Sequence, residues 1–224
     1  MKNTFPALIL TFIGFIAFGQ SVTNTYSSKS GKFAYRYELG EMETSYILFF
    51  DDFGKKQAFE LESNVDGYAQ KSRTIMTPES IYVINYEDKQ VIKFPVNAND
   101  KDMDMYGGNN GGFDLGALVT EVTGVASGKK GTAVILGKTC DVYEYADPTG
   151  SKGKYWIYNG YLFKAEFIDE NGQHAFMEVV DFKLEVTIDK KEFEVPGGFE
   201  VTDMSQMMEQ MKQMQEMYGV PDEE

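Results

Sequence analysis

A single cysteine, Cys140, in a chain of 224 residues excludes any disulfide within the molecule, so stability has to come from packing. Histidine is equally scarce. His174 is the only one, it lacks the neighbouring nucleophile that Ser-His-Asp or Cys-His chemistry needs, and one His with one Cys makes a poor zinc ligand set. No enzyme and no cofactor are therefore expected. Basic residues are few, 21 Lys and Arg against 35 Asp and Glu, for a net charge of −14. Such a surface repels phosphate backbones and anionic headgroups, which excludes nucleic acid as a partner. Apolar runs are short as well: none reaches the ~20 residues of a membrane-spanning helix.

What the chain does have is aromatic side chains, 17 Phe, 14 Tyr and 1 Trp, which favour pleated strands and suit apolar cavities as well as cores. Hydrophobic residues at 42% and charged residues at 25% give an ordinary globular balance, and the length suits one domain. At the start, Lys2, the apolar stretch Ala7 to Phe18 and small residues at Ala17 and Gly19 have the form of a cleavable leader, residues 1–19. Without a cysteine at the cleavage point there is no lipid-anchoring signal, so the expected location is periplasmic or secreted.

Beyond the leader, Phe33, Tyr35 and Tyr37 alternate with Ala34, Arg36 and Glu38, the period of a strand with one aromatic face. Strands are expected at 33–38, 44–50, 56–62, 69–76, 81–85 and 91–94, a meander with no crossover helix and hence antiparallel. Residues 97–112 form a long Asn-, Asp- and Gly-rich loop. Asp100, Asp102 and Asp104 alternate like calcium ligands there, but Met105 stands where the loop glycine belongs and Gly111 where the closing glutamate belongs, which favours a plain solvated loop or lid. A short helix is expected over 113–122, with Gly124 as its C-cap. More strands follow at 132–136, 140–145, 154–158, 162–168 and 174–187, and Asn159-Gly160 is the clearest hairpin signal in the chain.

The expected fold is mainly β: one large curved antiparallel sheet of about eleven strands, with a short central helix. Domain boundaries follow as 20–203 for the β domain, 204–218 for a C-terminal helix and 219–224 for an acidic tail. In the helix, Met204, Met207, Met208, Met211, Met214 and Tyr218 fall on one arc of about 120°, with Asp203 and Gln206 as a capping box. Thioethers at this spacing could hold Cu(I), but a stripe at helical period is first of all a packing surface, for the body of the protein or for a partner.

Five elements in order, Tyr155-Trp156-Ile157, Leu162 to Glu166, Asp169 to Gly172, Val180 to Lys183, and Phe193-x-Val195-Pro196-x-Gly198-Phe199-x-Val201-x-Asp203, resemble the C-terminal half of the LolA-like, outer-membrane lipoprotein-sorting family. The resemblance covers roughly residues 135–203. It implies a half-open barrel whose concave face holds acyl chains, so a lipid or other apolar ligand is expected in the cell envelope. A structural role, docking of an envelope protein or Cu(I) handling are the alternatives. From the alternating positions, Tyr35, Tyr37, Ile47, Phe49, Tyr82 and Phe163 are the expected lining, although buried aromatics are commoner as ordinary core packing than as ligand contacts.

Overall fold

The aromatic alternation near the start of the chain becomes a pair of long strands. In the computed structural model, which describes residues 25–39, 42–65, 68–95, 115–125, 128–146, 151–169, 172–207, 209, 210 and 213, β1 (Gly31–Leu39) and β2 (Met42–Asp51) run antiparallel, with Phe33 opposite Leu48 and Tyr35 opposite Tyr46. The chain reverses through a 3-10 turn at Asp52–Gly54. Gly54 has φ +91, and a Cβ there would lie 2.8 Å from the Thr25 Cβ, so glycine is required twice over, for conformation and for space. The meander continues with β3 (Lys56–Val65), β4 (Tyr68–Met76), β5 (Ser80–Asn85) and β6 (Gln90–Pro95).

Helix α1 (Leu115–Val125) comes next, three residues longer at its end than expected because Gly124 continues it rather than capping it. A second meander follows: β7 (Lys129–Ile135), β8 (Lys138–Ala146), β9 (Lys152–Tyr158), β10 (Tyr161–Ile168) and β11 (His174–Leu184). Between β9 and β10, Asn159 and Gly160 both take positive φ, 48 and 82, the hairpin geometry that their residue types announce.

The two meanders join side by side because β11 pairs with β1, and the sheet order is β12-β6-β5-β4-β3-β2-β1-β11-β10-β9-β8-β7. The last member, β12 (Glu200–Asp203), lies parallel to β6. The sheet is thus large, curved and unclosed, as expected, with twelve strands rather than eleven and one parallel edge pair in an otherwise antiparallel array. Laid flat, twelve strands would span about 50 Å, whereas an eleven-residue helix is about 16 Å long. One continuous core nevertheless runs from Phe94 on β6 through α1 to Cys140 on β8, so curvature does the covering that helices do elsewhere.

A second, smaller core lies on the opposite face. Phe49, Ala58, Ile75, Ile84 and Val91 from β2 to β6 are covered there by Ile188, Phe193, Val195 and Phe199. These four belong to a strap that leaves β11 at Glu185, where φ is +53 and the amide donates to the Ser30 carbonyl, and that crosses the back of the first meander to reach β6. The expected strand 174–187 therefore ends at Leu184. Glu200 to Asp203, where no strand was expected, form one, held by Glu200 N–H to the Lys89 carbonyl and followed by Met204 N–H to the Lys93 carbonyl.

Residues 205–207, 209, 210 and 213 are helical, and the Asp203 carboxylate accepts from Ser205 N–H at 2.9 Å, a cap of the kind its residue type predicts. The leader at 1–19, the loop at 97–112 with its three aspartates, and the acidic tail lie outside the described residues, as do Met208, Met211, Met214 and Tyr218. Among the described residues no helix is long and apolar enough to cross a membrane.

Candidate functional site

Period two decides which side chains enter the large core that α1 joins. On β1 it is Phe33, Tyr35 and Tyr37, and on β2 it is Tyr46, Leu48 and Phe50, all almost fully buried. Phe33 is the centre of a ring cluster, with Tyr161 at 5.2 Å, Phe182 at 5.6 Å, Phe163 at 6.2 Å and Phe50 at 6.4 Å between centroids. Tyr35 donates its hydroxyl proton to the Leu162 carbonyl at 3.0 Å, tying β1 to β10 across the curve. Burial pushes the phenols of Tyr35 and Tyr37 well above their ordinary range, so both stay neutral.

Two clefts open along α1. The first lies under the helix against β1, β9, β10 and β11 and is lined by Tyr37, Leu115, Leu118, Tyr155, Leu162, Ala165 and Met177. It is almost wholly apolar and holds about 20 Å³ of open space, room for one water. The second lies on the other flank of α1, over β8 and β9, and is larger at about 380 Å³. Gly116, Val119 and Ile157 form its buried floor, while Thr120, Thr123, Asp141, Tyr143 and Asn159 form its rim. Asp141 is paired with Lys129, Nζ to Oδ1 2.7 Å.

Of the six residues expected to line a pocket, Tyr35, Tyr37 and Phe163 are on the α1 face, and of these Tyr37 lines the first cleft. Ile47, Phe49 and Tyr82 are on the opposite face, in the core beneath the strap. The physical reason is parity: Ile47 and Phe49 alternate with Tyr46, Leu48 and Phe50, so they cannot share a face with them. Phe49 is in fact enclosed between cations, with Lys32 Nζ 5.0 Å and the Arg73 guanidinium 5.5 Å from its ring centre. Sequence reasoning missed Leu115, Leu118, Tyr155, Leu162, Ala165 and Met177. Leu118 was recognisable as an apolar helix position and Tyr155 and Leu162 as strand residues, but nothing local says that these elements enclose a cleft together.

The rarer side chains do not gather. His174 is exposed at the start of β11, and Cys140 is buried on β8, where burial pushes its thiol up. Among the described residues no group of three His, Cys, Asp or Glu converges in a way that would hold a metal ion. Within the methionine stripe, Met204 is buried in the large core and Met207 is 44% exposed.

No family model and no curated protein matches the chain. Solved structures do. An uncharacterized conserved protein from Thermus thermophilus aligns with a TM-score of 0.52 at 15% identity, over 79% of this chain and 91% of that one. MucB in complex with MucA(peri) aligns at 0.45 and 11%, over 77% of this chain and 56% of that one, and PNGF-II at 0.39 and 12%, over 81% and 32%. MucB and PNGF-II are too distant to carry an argument, and at 15% identity the Thermus protein bears on architecture alone, a large curved β-sheet shared over nearly its whole length.

Proposed function

We propose that this protein is an exported, non-catalytic binder or carrier of an apolar ligand of the lipid class, and that the ligand enters between α1 and the curved sheet. The observation that supports this best is the apolar cleft under α1, lined by Tyr37, Leu118, Tyr155, Leu162 and Met177 and bounded by one short helix. A sheet of twelve strands presents far more apolar surface than an eleven-residue helix covers. The resemblance to the lipoprotein-sorting family supports the same reading, since its matching residues on β9 and β10 include Tyr155, Leu162 and Ala165 of the cleft lining. The leader read in the sequence and the lack of a membrane-crossing helix among the described residues suit a protein that works on the outer side of an inner membrane. Its exposed His174 and its buried Cys140, whose thiol burial pushes up, suit binding rather than chemistry.

A fatty-acid probe with environment-sensitive fluorescence tests the reading. Leu118→Glu places a charge on the helix side of the cleft and should weaken probe binding by about tenfold or more, because an unpaired charge in an apolar site costs several kcal/mol. Val180→Glu, at a position 54% exposed on β11, should leave binding unchanged. A saturating probe without a change of signal, or equal effects of the two substitutions, would overturn the assignment.

A further inference from the structure

We infer that the second cleft, on the far flank of α1, receives the polar end of the ligand, and that this end is an uncharged, hydroxyl-rich headgroup such as a sugar. The inference rests on the apolar-ligand reading and adds the chemical class of the headgroup.

The two clefts flank one helix and share one strand. Leu115 and Leu118 face the first, Gly116, Val119, Thr120 and Thr123 the second, and on β9 Tyr155 lines the first and Ile157 the second. Those two strand residues are about 7 Å apart, the rise of two positions, so a single amphiphile can reach both clefts. At about 380 Å³ the second cleft is in the size range of small-ligand sites, whereas the first is a narrow apolar slot.

Hydrogen-bond chemistry selects the headgroup. Thr120 donates its hydroxyl proton to the Gly116 carbonyl at 2.9 Å, and Thr123 donates to the Val119 carbonyl at 2.8 Å, within the helix itself. With their protons committed, both oxygens offer lone pairs at the cleft, and the Asp141 carboxylate is an acceptor by nature. Asn159 and Tyr143 on the same rim can both donate and accept. Hydroxyl groups do both as well, while a phosphate brings acceptors and a negative charge to a chain of net charge −14. A cationic headgroup has less to gain, because Lys129 already pairs with Asp141. The ring of Tyr143 offers a flat apolar surface for the C–H face of a sugar ring, and the floor of Gly116, Val119 and Ile157 is apolar too.

The test uses the full chain and three lipids with identical acyl chains, a monoglucosyl diacylglycerol, phosphatidic acid and diacylglycerol, each displacing the fluorescent fatty acid. The glucosyl lipid should displace it at roughly tenfold lower concentration than either of the others. Thr120→Val with Thr123→Val, and separately Asp141→Asn, should bring the three lipids to within about threefold of each other. Equal displacement by all three lipids, or a preference for phosphatidic acid, would overturn the headgroup assignment and leave the apolar-ligand reading standing. Failure of the probe to bind at all would overturn both.

Discussion

Arg73 on β4 concentrates the electrostatics of the back face. Its side chain is 9% exposed, and the guanidinium is ion-paired with Glu192 of the strap, is 3.4 Å from Glu60 on β3 and rests over the ring of Phe49. Burial alone would lower the pKa of this group, but the hydrogen bond to Glu192 and the charge of Glu60 outweigh it and hold the guanidinium above its ordinary value. Replacing Arg73 with Leu keeps the apolar contact and removes the charge. Glu60 then retains Lys71 at 2.8 Å, and Glu192 is exposed enough to turn to water. The cost should therefore fall below that of orphaning a fully buried partner, at about 2–3 kcal/mol in urea unfolding. A loss under about 0.5 kcal/mol would show that the strap is held by Phe193, Val195 and Phe199 alone. None of this pairing is visible in the sequence, where Arg73, Glu60 and Glu192 are ordinary members of an acidic chain.

At the scale of elements, the edge strand β12 depends on Asp203, whose carboxylate takes hydrogen bonds from Lys93 Nζ at 2.7 Å and from Ser205. The Lys93 bond first, and the Ser205 bonds after it, lower the Asp203 pKa to about 2. A carboxylate with a lowered folded-state pKa contributes stability that is present above its ordinary value near 4 and is lost as pH falls towards 2. Between pH 5 and pH 2, amide protection in β12 should therefore fall more than protection in β5, and Asp203→Asn should remove that difference. Because Asp203 is largely exposed, the global midpoint should move little. If β12 and β5 lose protection together in both forms, the pair does not hold the edge. The same strand marks where local pattern stops informing. Glu-Val-Thr-Asp, exposed at all four positions, has no apolar face to announce a strand, and its partner β6 is more than a hundred residues away in sequence. Asn159-Gly160 is the opposite case, because the turn is specified by the two residues that form it. The site was legible by half for a related reason. Alternation assigns Tyr35 and Tyr37 to one face and separates Phe49 from Leu48, but both faces of β2 to β5 are apolar, so the pattern does not say which of them receives α1 and which the strap.

For the molecule as a whole, curvature and the shortness of α1 set the energetics of loading. The large core spans the sheet from β6 to β8, yet one described helix covers it, and that helix meets the sheet chiefly at β8 and β10. The space beneath it, about 20 Å³, is far below the ~300 Å³ or more that a small-ligand site offers, so an acyl chain can enter only if α1 lifts or shifts. Lifting α1 exposes Leu115, Val119 and Val122 but breaks no strand pairing, whereas opening the sheet anywhere between β2 and β10 severs a ladder. The helix should then be the least costly part of this core to open, and its amides should exchange by local opening well below the global unfolding free energy. Hydrogen exchange gives two linked expectations. Without ligand, residues 115–125 should be protected at least about tenfold less than the central strands β1, β2 and β11, and a saturating fatty acid should raise protection in α1 selectively, leaving β4 and β5 unchanged. The selectivity matters because a ligand that stabilised the whole fold would slow exchange everywhere at once. If α1 is as protected as β1 before any ligand is added, and stays so afterwards, the helix does not open, the cleft remains the size of a water molecule, and the ligand must be sought on another surface.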